Sequence, residues 1–330
     1  MFNNGFVFGK FYPLHKGHLA LIEFALTQCR YLHIVVCGSD KELIPSSRRA
    51  SWIKESLTDN KNINVIEFEY CEQALPNTSV ASRDVSAIWS SVFKTLLPEV
   101  EVVVTSEPYG DLVAEYMQIK HALFDPERNR HSVSASAIRE DILYRWDYLP
   151  TPVQRYFQRT VSICGTESTG KTILAAHLAT LFPAIVVNEA ARELIPDSKE
   201  FSFDDLLCVA LEHATQIERA KDNATPLIVL DTDVYITQSY ARYKFNKTLR
   251  LPNSIYQSNT PDLRLYLDAN VPFVQDGTRL PEAERNQLDV SHRETLTDFQ
   301  QNYTEIIGGD WLVRSQNARQ QVAALFHFSW

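Results

Sequence analysis

The sequence predicts an α/β chain of two domains, each built on a mostly parallel sheet. Three observations carry this expectation. With 330 residues the chain has room for two domains of ordinary size. Both halves open alike, with a short apolar run, a glycine-containing loop and then a helical pattern. Further along, strand-like apolar runs alternate with amphipathic stretches, the pattern of a parallel sheet covered by helices on both faces.

In the first half, Phe6–Phe8 reads as the opening strand, followed by a loop and a helix over Leu19–Gln28. Strands are expected at Leu32–Cys37, Val65–Phe68 and Glu101–Thr105, with helices at Ser51–Thr58 and Ser82–Leu97 from their apolar spacing. The second half opens with a strand at Val161–Cys164 and a helix over Ile173–Leu181. Strands are then expected at Ala184–Asn188, Leu227–Asp231, Leu263–Leu267 and Trp311–Arg314, and a closing helix at Ala318–Phe328. Pro150 and Pro152 flank Thr151, so Tyr148–Phe157 is read as a connector that is neither helix nor strand. The expected domains are residues 1–150 and 151–330.

Composition narrows the function classes. A hydrophobic content of 45% and a charged content of 22% are those of an ordinary globular protein. The net charge of -9 leaves no basic footprint, so no nucleic-acid partner is expected. Small anionic substrates must then be held by local arginines and helix N-termini. The five cysteines are scattered with no C-x-x-C pair, which points to a reduced, cytoplasmic protein. Apolar runs such as Ile34–Cys37 and Leu227–Leu230 fall far short of the roughly 20 residues of a membrane span, so no membrane insertion is expected. The N-terminus runs almost at once into Gly5–Gly9, leaving no visible targeting segment. The sequence allows a homo-oligomer without specifying one.

Only 10 residues are glycine, yet Gly9, Gly17, Gly165 and Gly170 all fall in the two opening loops. The first loop, Gly9–His18, reads G-K-F-Y-P-L-H-K-G-H and is similar to the H-x-G-H signature of nucleotidyltransferases. His15 and His18 are three apart at the start of a helix and share a face. Nucleotidyl transfer asks mainly for positioning and for stabilisation of charge on phosphoryl oxygens. Imidazoles at His15 and His18, the Lys10 ammonium and backbone around Gly9, Phe11 and Gly17 suit that task. A second string, Ser132–Arg139 (S-V-S-A-S-A-I-R), resembles the C-terminal motif of the same superfamily. There Ser134 and Ser136 would donate to ATP phosphates and Arg139 would pair with the β- or γ-phosphate.

Gly165–Thr172 fits the phosphate-binding loop G-x-x-x-x-G-K-[ST], between a strand and a helix as that loop requires. Backbone of Gly165, Thr166, Glu167, Ser168, Thr169 and Gly170 would cradle ATP phosphates. Lys171 would reach the β- and γ-phosphates, and Thr172 would ligate Mg²⁺. Leu227–Asp233 has four apolar residues ending in carboxylates, the form of a Walker B strand, so Asp231 or Asp233 can hold the metal. Glu189 stands where many small-molecule kinases carry a base, and Arg192 could bind substrate or phosphate. The base is left open among Glu189, Asp231 and Asp233. Asp276–Arg285 is polar, and its Arg279 and Arg285 suit a lid over the transferring phosphoryl group.

Together these strings resemble the NadR family, the bifunctional nicotinamide mononucleotide (NMN) adenylyltransferase and ribosylnicotinamide kinase of NAD salvage. Ser106–Gly110 (S-E-P-Y-G), N-E-A-A-R-E, L-D-T-D and D-G-T-R add to the match. The resemblance implies a Rossmann-like nucleotidyltransferase domain followed by a P-loop kinase domain. It implies phosphorylation of nicotinamide riboside, then adenylylation of NMN to NAD, with ATP and Mg²⁺ serving both steps. It also places Tyr109 near the nicotinamide nucleotide and makes Trp52 a candidate for stacking on the pyridinium ring; Arg192 and Asp233 are further candidate substrate-binding residues. Some relatives begin with a helix-turn-helix domain. Here the first strand starts near residue 5, so no DNA-binding role is expected. The nearest rival is a fused enzyme of coenzyme A synthesis, whose nucleotidyltransferases usually carry Thr in place of His15. A non-catalytic adenine-nucleotide or NAD sensor is the other, and it would not need Lys171, Thr172, His15 and His18.

Overall fold

Strand and helix alternate along the chain, and the computed structural model gathers the strands into two parallel sheets. It describes residues 1–77, 82–195, 200–269, 281–308 and 310–330. Contacts divide the chain into two units, Met1–Tyr156 with Phe328–Trp330, and Phe157–His327.

The first unit runs β1 (Phe2–Gly9), α1 (Lys16–Gln28), β2 (Cys29–Ser39), α2 (Ser46–Ser56), β3 (Ile63–Tyr70), α3 (Arg83–Leu96), β4 (Val102–Thr105), α4 (Tyr109–Met117), β5 (Lys120–Leu123) and α5 (Ala135–Glu140). A short α6 (Thr151–Phe157) reaches the boundary. The strand order is β3-β2-β1-β4-β5, all parallel, with Gly5 opposite Leu32 on one side and Val102 on the other. Phe6, Val35, Phe93, Val103 and Val113 form a buried cluster. Because β1 is central and its neighbours cross over in opposite directions, the loop after Gly9 opens into the crevice where such sheets bind ligands.

The second unit runs β6 (Arg159–Cys164), α7 (Lys171–Leu181), β7 (Ala184–Val187), α8 (Ala191–Leu194), α9 (Phe203–Lys221), β8 (Leu227–Asp231), α10 (Val234–Phe245), α11 (Asn253–Ser258), β9 (Leu263–Leu267), α12 (Glu282–Asp298), β10 (Thr304–Ile306) and α13 (Trp311–Ala324). The order is β10-β9-β6-β8-β7, again parallel. Here β6 is the central strand. Ile163 lies opposite Asp231, which sets that carboxylate beside the loop that follows Cys164.

Two local expectations are corrected. Trp311–Arg314 is the first turn of α13, and the edge strand is the polar Thr304–Ile306. The Asp310 carboxylate accepts from the Leu312 N–H at 2.7 Å and so starts a helix. Trp311, Leu312 and Val313 are 41%, 62% and 46% exposed, which a core strand would not allow. Residues Thr151–Phe157 are helical although Pro152 lies among them. Proline is tolerated in the first turn, where its missing N–H has no intrahelical partner to lose.

No helix among the described residues is long and apolar enough to cross a membrane. All five cysteines are free thiols, with Cys71 and Cys208 exposed.

The long helix α9 is fixed at its start by a complete capping box. Ser202 accepts from the Asp205 N–H, and Asp205 accepts from the Ser202 N–H at 2.8 Å. Ser202→Ala should cost about 1 kcal/mol, read as a lower urea midpoint at unchanged slope. An unchanged midpoint would show that packing alone holds this terminus.

Candidate active sites

In the first unit the chain turns from β1 into α1 through Lys10–His15. His15 is the N-cap of α1, its Nδ1 accepting from the His18 N–H at 3.3 Å. That bond brings the two imidazoles face to face, with centroids 3.7 Å apart. Both are held neutral. Burial is the largest cause for His15, followed by the charges of His18, Arg128 and His131. Burial and then Arg128 push His18 down to about 3. The Nδ1 atom of His18 is buried without a hydrogen-bond partner among the described residues.

The two strings read separately in the sequence meet here. Arg139 donates to the Tyr12 carbonyl across 127 positions, lies over the Tyr12 ring and donates to Ser136 Oγ at 3.1 Å. Ser134 caps α5 by accepting from the Ala137 N–H at 3.1 Å. Trp330 packs edge-on against Tyr12 and donates to the Arg139 carbonyl at 3.1 Å. Buried Arg49 also lies over the Tyr12 ring, donates to the Lys10 carbonyl at 2.6 Å and pairs with Glu42 at 2.8 Å. The Lys10 ammonium is 2.7 Å from Glu42 and 3.7 Å from Glu72. Phe11 holds a left-handed φ of 50° and sets its ring edge-on to His18 at 5.0 Å.

Beside this network lies a cavity of about 460 Å³, with Asp40, Glu42, Glu69, Arg49 and Tyr70 on its walls. The two glycines of the loop differ. A Cβ on Gly17 would come within 3.0 Å of the His15 ring, whereas one on Gly9 would make an ordinary 3.7 Å contact with Phe11. A side chain at position 17 would therefore press on the His15 ring, and one at position 9 would not.

Both aromatic candidates have packing partners within the unit. Trp52 is 1% exposed on α2 and edge-on to Tyr156 at 5.3 Å. Tyr109 packs on Phe8 at 5.7 Å, its hydroxyl pushed well above the usual range by burial, then by Glu107 and Cys37. The glycine of S-E-P-Y-G has a structural cause, since a Cβ on Gly110 would collide with His121 Nε2 at 2.3 Å and Thr105 Oγ1 at 2.4 Å.

Sequence reasoning missed Tyr12, Glu42, Arg49, Arg128 and His131. The last two lie in the loop after β5, at the carboxyl end of a parallel strand, and that position was the one available signal once β5 was recognised.

In the second unit the loop after β6 takes the bends that its glycines permit. Gly165 has φ 139° and would strike the Leu267 carbonyl at 2.6 Å with a Cβ. Gly170 has φ 90° and starts α7, and Ser168 has φ 64°. Thr169 Oγ1 donates to the Thr166 carbonyl at 2.8 Å, and the Lys171 ammonium donates to the same carbonyl at 3.1 Å. Glu167 and Ser168 line the cavity next to the loop. Thr172 Oγ1 donates to Asp231 Oδ2 at 2.6 Å.

The three carboxylates left open by the sequence are separated by their partners. Asp233 is fully buried and committed to the fold: it caps α10 and accepts from Ser162 at 3.0 Å and Arg264 at 2.7 Å. Asp231 is buried beside Thr172, and its Oδ1 has no hydrogen-bond partner among the described residues. Glu189 lines the cavity and is held by Arg192 at 3.0 Å. Arg192 also donates to Thr172 Oγ1 at 2.7 Å and lies 3.8 Å from Asp231. Arg285 is buried, donating to the Ala269 carbonyl at 3.1 Å, while Arg279 lies outside the described residues.

This donor set fits Mg²⁺. A hydroxyl and a carboxylate touch at 2.6 Å, and the carboxylate keeps a buried oxygen to spare. Among the described residues no group of three or more His, Cys, Asp or Glu could hold a metal. A divalent ion at Thr172 and Asp231 would then share phosphate oxygens of the nucleotide, which is how Mg²⁺ is usually bound. The cavity measures about 750 Å³, with Ile195, Phe201, Leu206 and Val209 as an apolar wall and His213 and Tyr240 beside them.

Two family models match the chain, described as cytidylyltransferase-like over residues 6–141 and as an AAA domain over residues 160–314. The trifunctional NAD biosynthesis/regulator protein NadR of Salmonella typhimurium is 31% identical over 300 residues, covering 84% of this chain and 72% of the relative. The chain belongs to the NadR family. The NadR protein of Escherichia coli is 32% identical over 298 residues, covering 83% of this chain and 71% of its own length. A solved NadR protein in complex with NR superposes with a TM-score of 0.64 at 23% identity, over 100% of this chain and 98% of that one, so the fold is shared end to end.

Two outcomes follow for the NadR-type first site. Gly17→Ala should displace His15 and lower adenylyl transfer by about tenfold or more, leaving kinase turnover unchanged. Because His15 and His18 are already neutral in the free protein, kcat/KM for adenylyl transfer should show no ionisation of the pair between pH 5 and 9. An inflection near pH 6.5 that His18→Asn removes would contradict the neutral pair.

Proposed function

We propose that the chain makes NAD from nicotinamide riboside in two ATP-dependent steps. The second unit phosphorylates the 5′-hydroxyl of the riboside to give NMN and ADP. The first unit transfers the adenylyl group of ATP to NMN, giving NAD and pyrophosphate. One observation carries the reading: a chain of the NadR family keeps both sets of phosphate-handling side chains in mutual contact, His15 on His18 and Arg139 on Tyr12 in one unit, Thr172 on Asp231 in the other.

In the kinase step, loop N–H groups and Lys171 hold the β- and γ-phosphates. Mg²⁺ held by Thr172, Asp231 and phosphate oxygens would neutralise the charge that develops on transfer. Glu189 faces the cavity and takes the proton from the 5′-hydroxyl as its oxygen attacks the γ-phosphorus. ADP leaves from the loop. Arg192, which bridges Glu189 and Thr172, sits where it can follow the transferring phosphoryl group. Asp233 serves the fold and takes no part in the reaction.

Adenylyl transfer needs no proton transfer. A phosphate oxygen of NMN attacks the α-phosphorus and pyrophosphate departs, so the protein contributes position and charge. His15 and His18 donate to phosphate oxygens, Lys10 adds a cation, and Arg139 with Ser134 and Ser136 holds the leaving pyrophosphate. The neighbouring cavity carries Asp40 and Glu69 beside the Arg49–Glu42 pair, an acidic balance that suits the cationic pyridinium ring of NMN. The free thiols agree with a cytoplasmic location.

Purified protein given nicotinamide riboside, ATP and Mg²⁺ should yield NAD by chromatography. Lys171→Ala should reduce that yield at least about 100-fold while leaving NAD formation from supplied NMN intact. The mononucleotide alone would exclude the first activity, and absence of both products would overturn the substrate assignment.

A further inference from the structure

We propose that Trp330 is a positioning residue of the adenylyltransferase site: its indole closes the carboxyl end of α5 and so holds Arg139 in place for the phosphates of ATP. This rests on the adenylyl-transfer reading above and names a residue that lies outside both strings of that site.

The helix α5 is six residues long, and Ile138 is the one it buries. A helix of that length does not sustain itself, because nucleation is unfavourable and so few hydrogen bonds do not offset it. Its surroundings must therefore fix it. At its start Ser134 accepts from the Ala137 N–H at 3.1 Å. At its other end the last carbonyls have no partner within the helix. The Asp141 N–H reaches the Ala137 carbonyl, which leaves the carbonyl of Arg139 to find a donor elsewhere. It finds the Trp330 indole N–H, at 3.1 Å and across 191 positions.

The same indole meets the other half of the Arg139 contact. The Arg139 side chain donates to the Tyr12 carbonyl and to Ser136 Oγ, and its guanidinium lies 5.7 Å from the centre of the Tyr12 ring. Trp330 packs edge-on against that ring at 5.8 Å, and Phe328 packs edge-on against Trp330 at 5.8 Å. Tyr12 is fixed in turn at its hydroxyl, which accepts from the Leu43 N–H at 3.1 Å. Trp330 thus touches Arg139 at the backbone and Tyr12 at the ring, the two residues through which the G-K-F-Y-P-L-H-K-G-H and S-V-S-A-S-A-I-R strings meet. Residues Phe328–Trp330 pack with the first unit, although the residues up to His327 belong to the second. Any apolar ring would fill the space against Tyr12. Only a donor satisfies the carbonyl, and an indole nitrogen is a donor alone.

The test uses the full chain and follows both reactions. Trp330→Ala should raise KM for ATP in adenylyl transfer about tenfold, and weaken product inhibition by pyrophosphate by a similar factor. KM for NMN and kinase turnover should not move. Trp330→Phe keeps a ring and loses the donor, so its rise should be smaller, about threefold. In an Arg139→Ala background, Trp330→Ala should add little further loss, because the two act on one contact. A Trp330→Ala protein with an unaltered KM for ATP would overturn the assignment. So would a full, additive loss in the Arg139→Ala background. An equal fall in both activities of Trp330→Phe would also overturn it, by making the indole a support of the whole fold. An unaltered protein that makes no NAD from NMN and ATP would instead remove the adenylyl-transfer reading, and this inference with it.

Discussion

In each unit the central strand is hydrogen-bonded to parallel neighbours on both sides, β1 to β2 and β4, β6 to β8 and β9. Parallel pairing forces every connection to cross over a face, and the two directions of crossing part at the central strand. The loop that leaves its carboxyl end has no helix above it and must find other partners. In this chain both such loops carry the glycines and the basic or imidazole side chains on which the proposed reactions rest. The pairing of Ile163 with Asp231 then determines where the second site's carboxylate lies, and hence its contact with Thr172.

The two units handle the same anion by different means. The first, in the proposed reaction, relies on side chains gathered from far apart in sequence, Arg139 from α5 and Lys10 from the loop itself, with buried Arg49 of α2 bracing the Lys10 backbone. The second relies on backbone, bent by Gly165 and Gly170 so that consecutive N–H groups can converge. That difference matches the chemistry proposed for each. Adenylyl transfer must grip a departing pyrophosphate as well as the α-phosphate, whereas phosphoryl transfer must retain ADP and release only the terminal group.

Within the string L-D-T-D the two aspartates divide the work. Asp231 ends β8 beside the loop with one oxygen unpaired, while Asp233 turns inward to Arg264, Ser162 and the start of α10. Removing Asp233 would leave the buried Arg264 guanidinium without its counterion, a larger disturbance to the fold than to any ligand. Residues two apart share a side only in an extended chain. Thr232, with φ 87°, breaks that geometry and sends the side chains apart.

The sequence by itself determined the two-unit α/β class, the first strand and loop of each unit, and the two strings whose side chains the structure brings together, His15 with His18 and Thr172 with Asp231. These are local features: a strand, a glycine-containing loop and a helix start lie within about fifteen consecutive residues, and their chemistry is written in residue type. It misjudged Trp311–Arg314, where an apolar run looks like a strand until Asp310 caps it as a helix, and it passed over Thr304–Ile306, whose polar residues pair only because β9 offers an edge. It also left three carboxylates equivalent, gave no packing partners for Trp52 and Tyr109, and did not reach the contacts of Arg49 and Arg128. Those assignments depend on which groups are buried together and which are left unpaired. Burial and pairing are properties of distant segments brought into contact, so only the tertiary structure decided them.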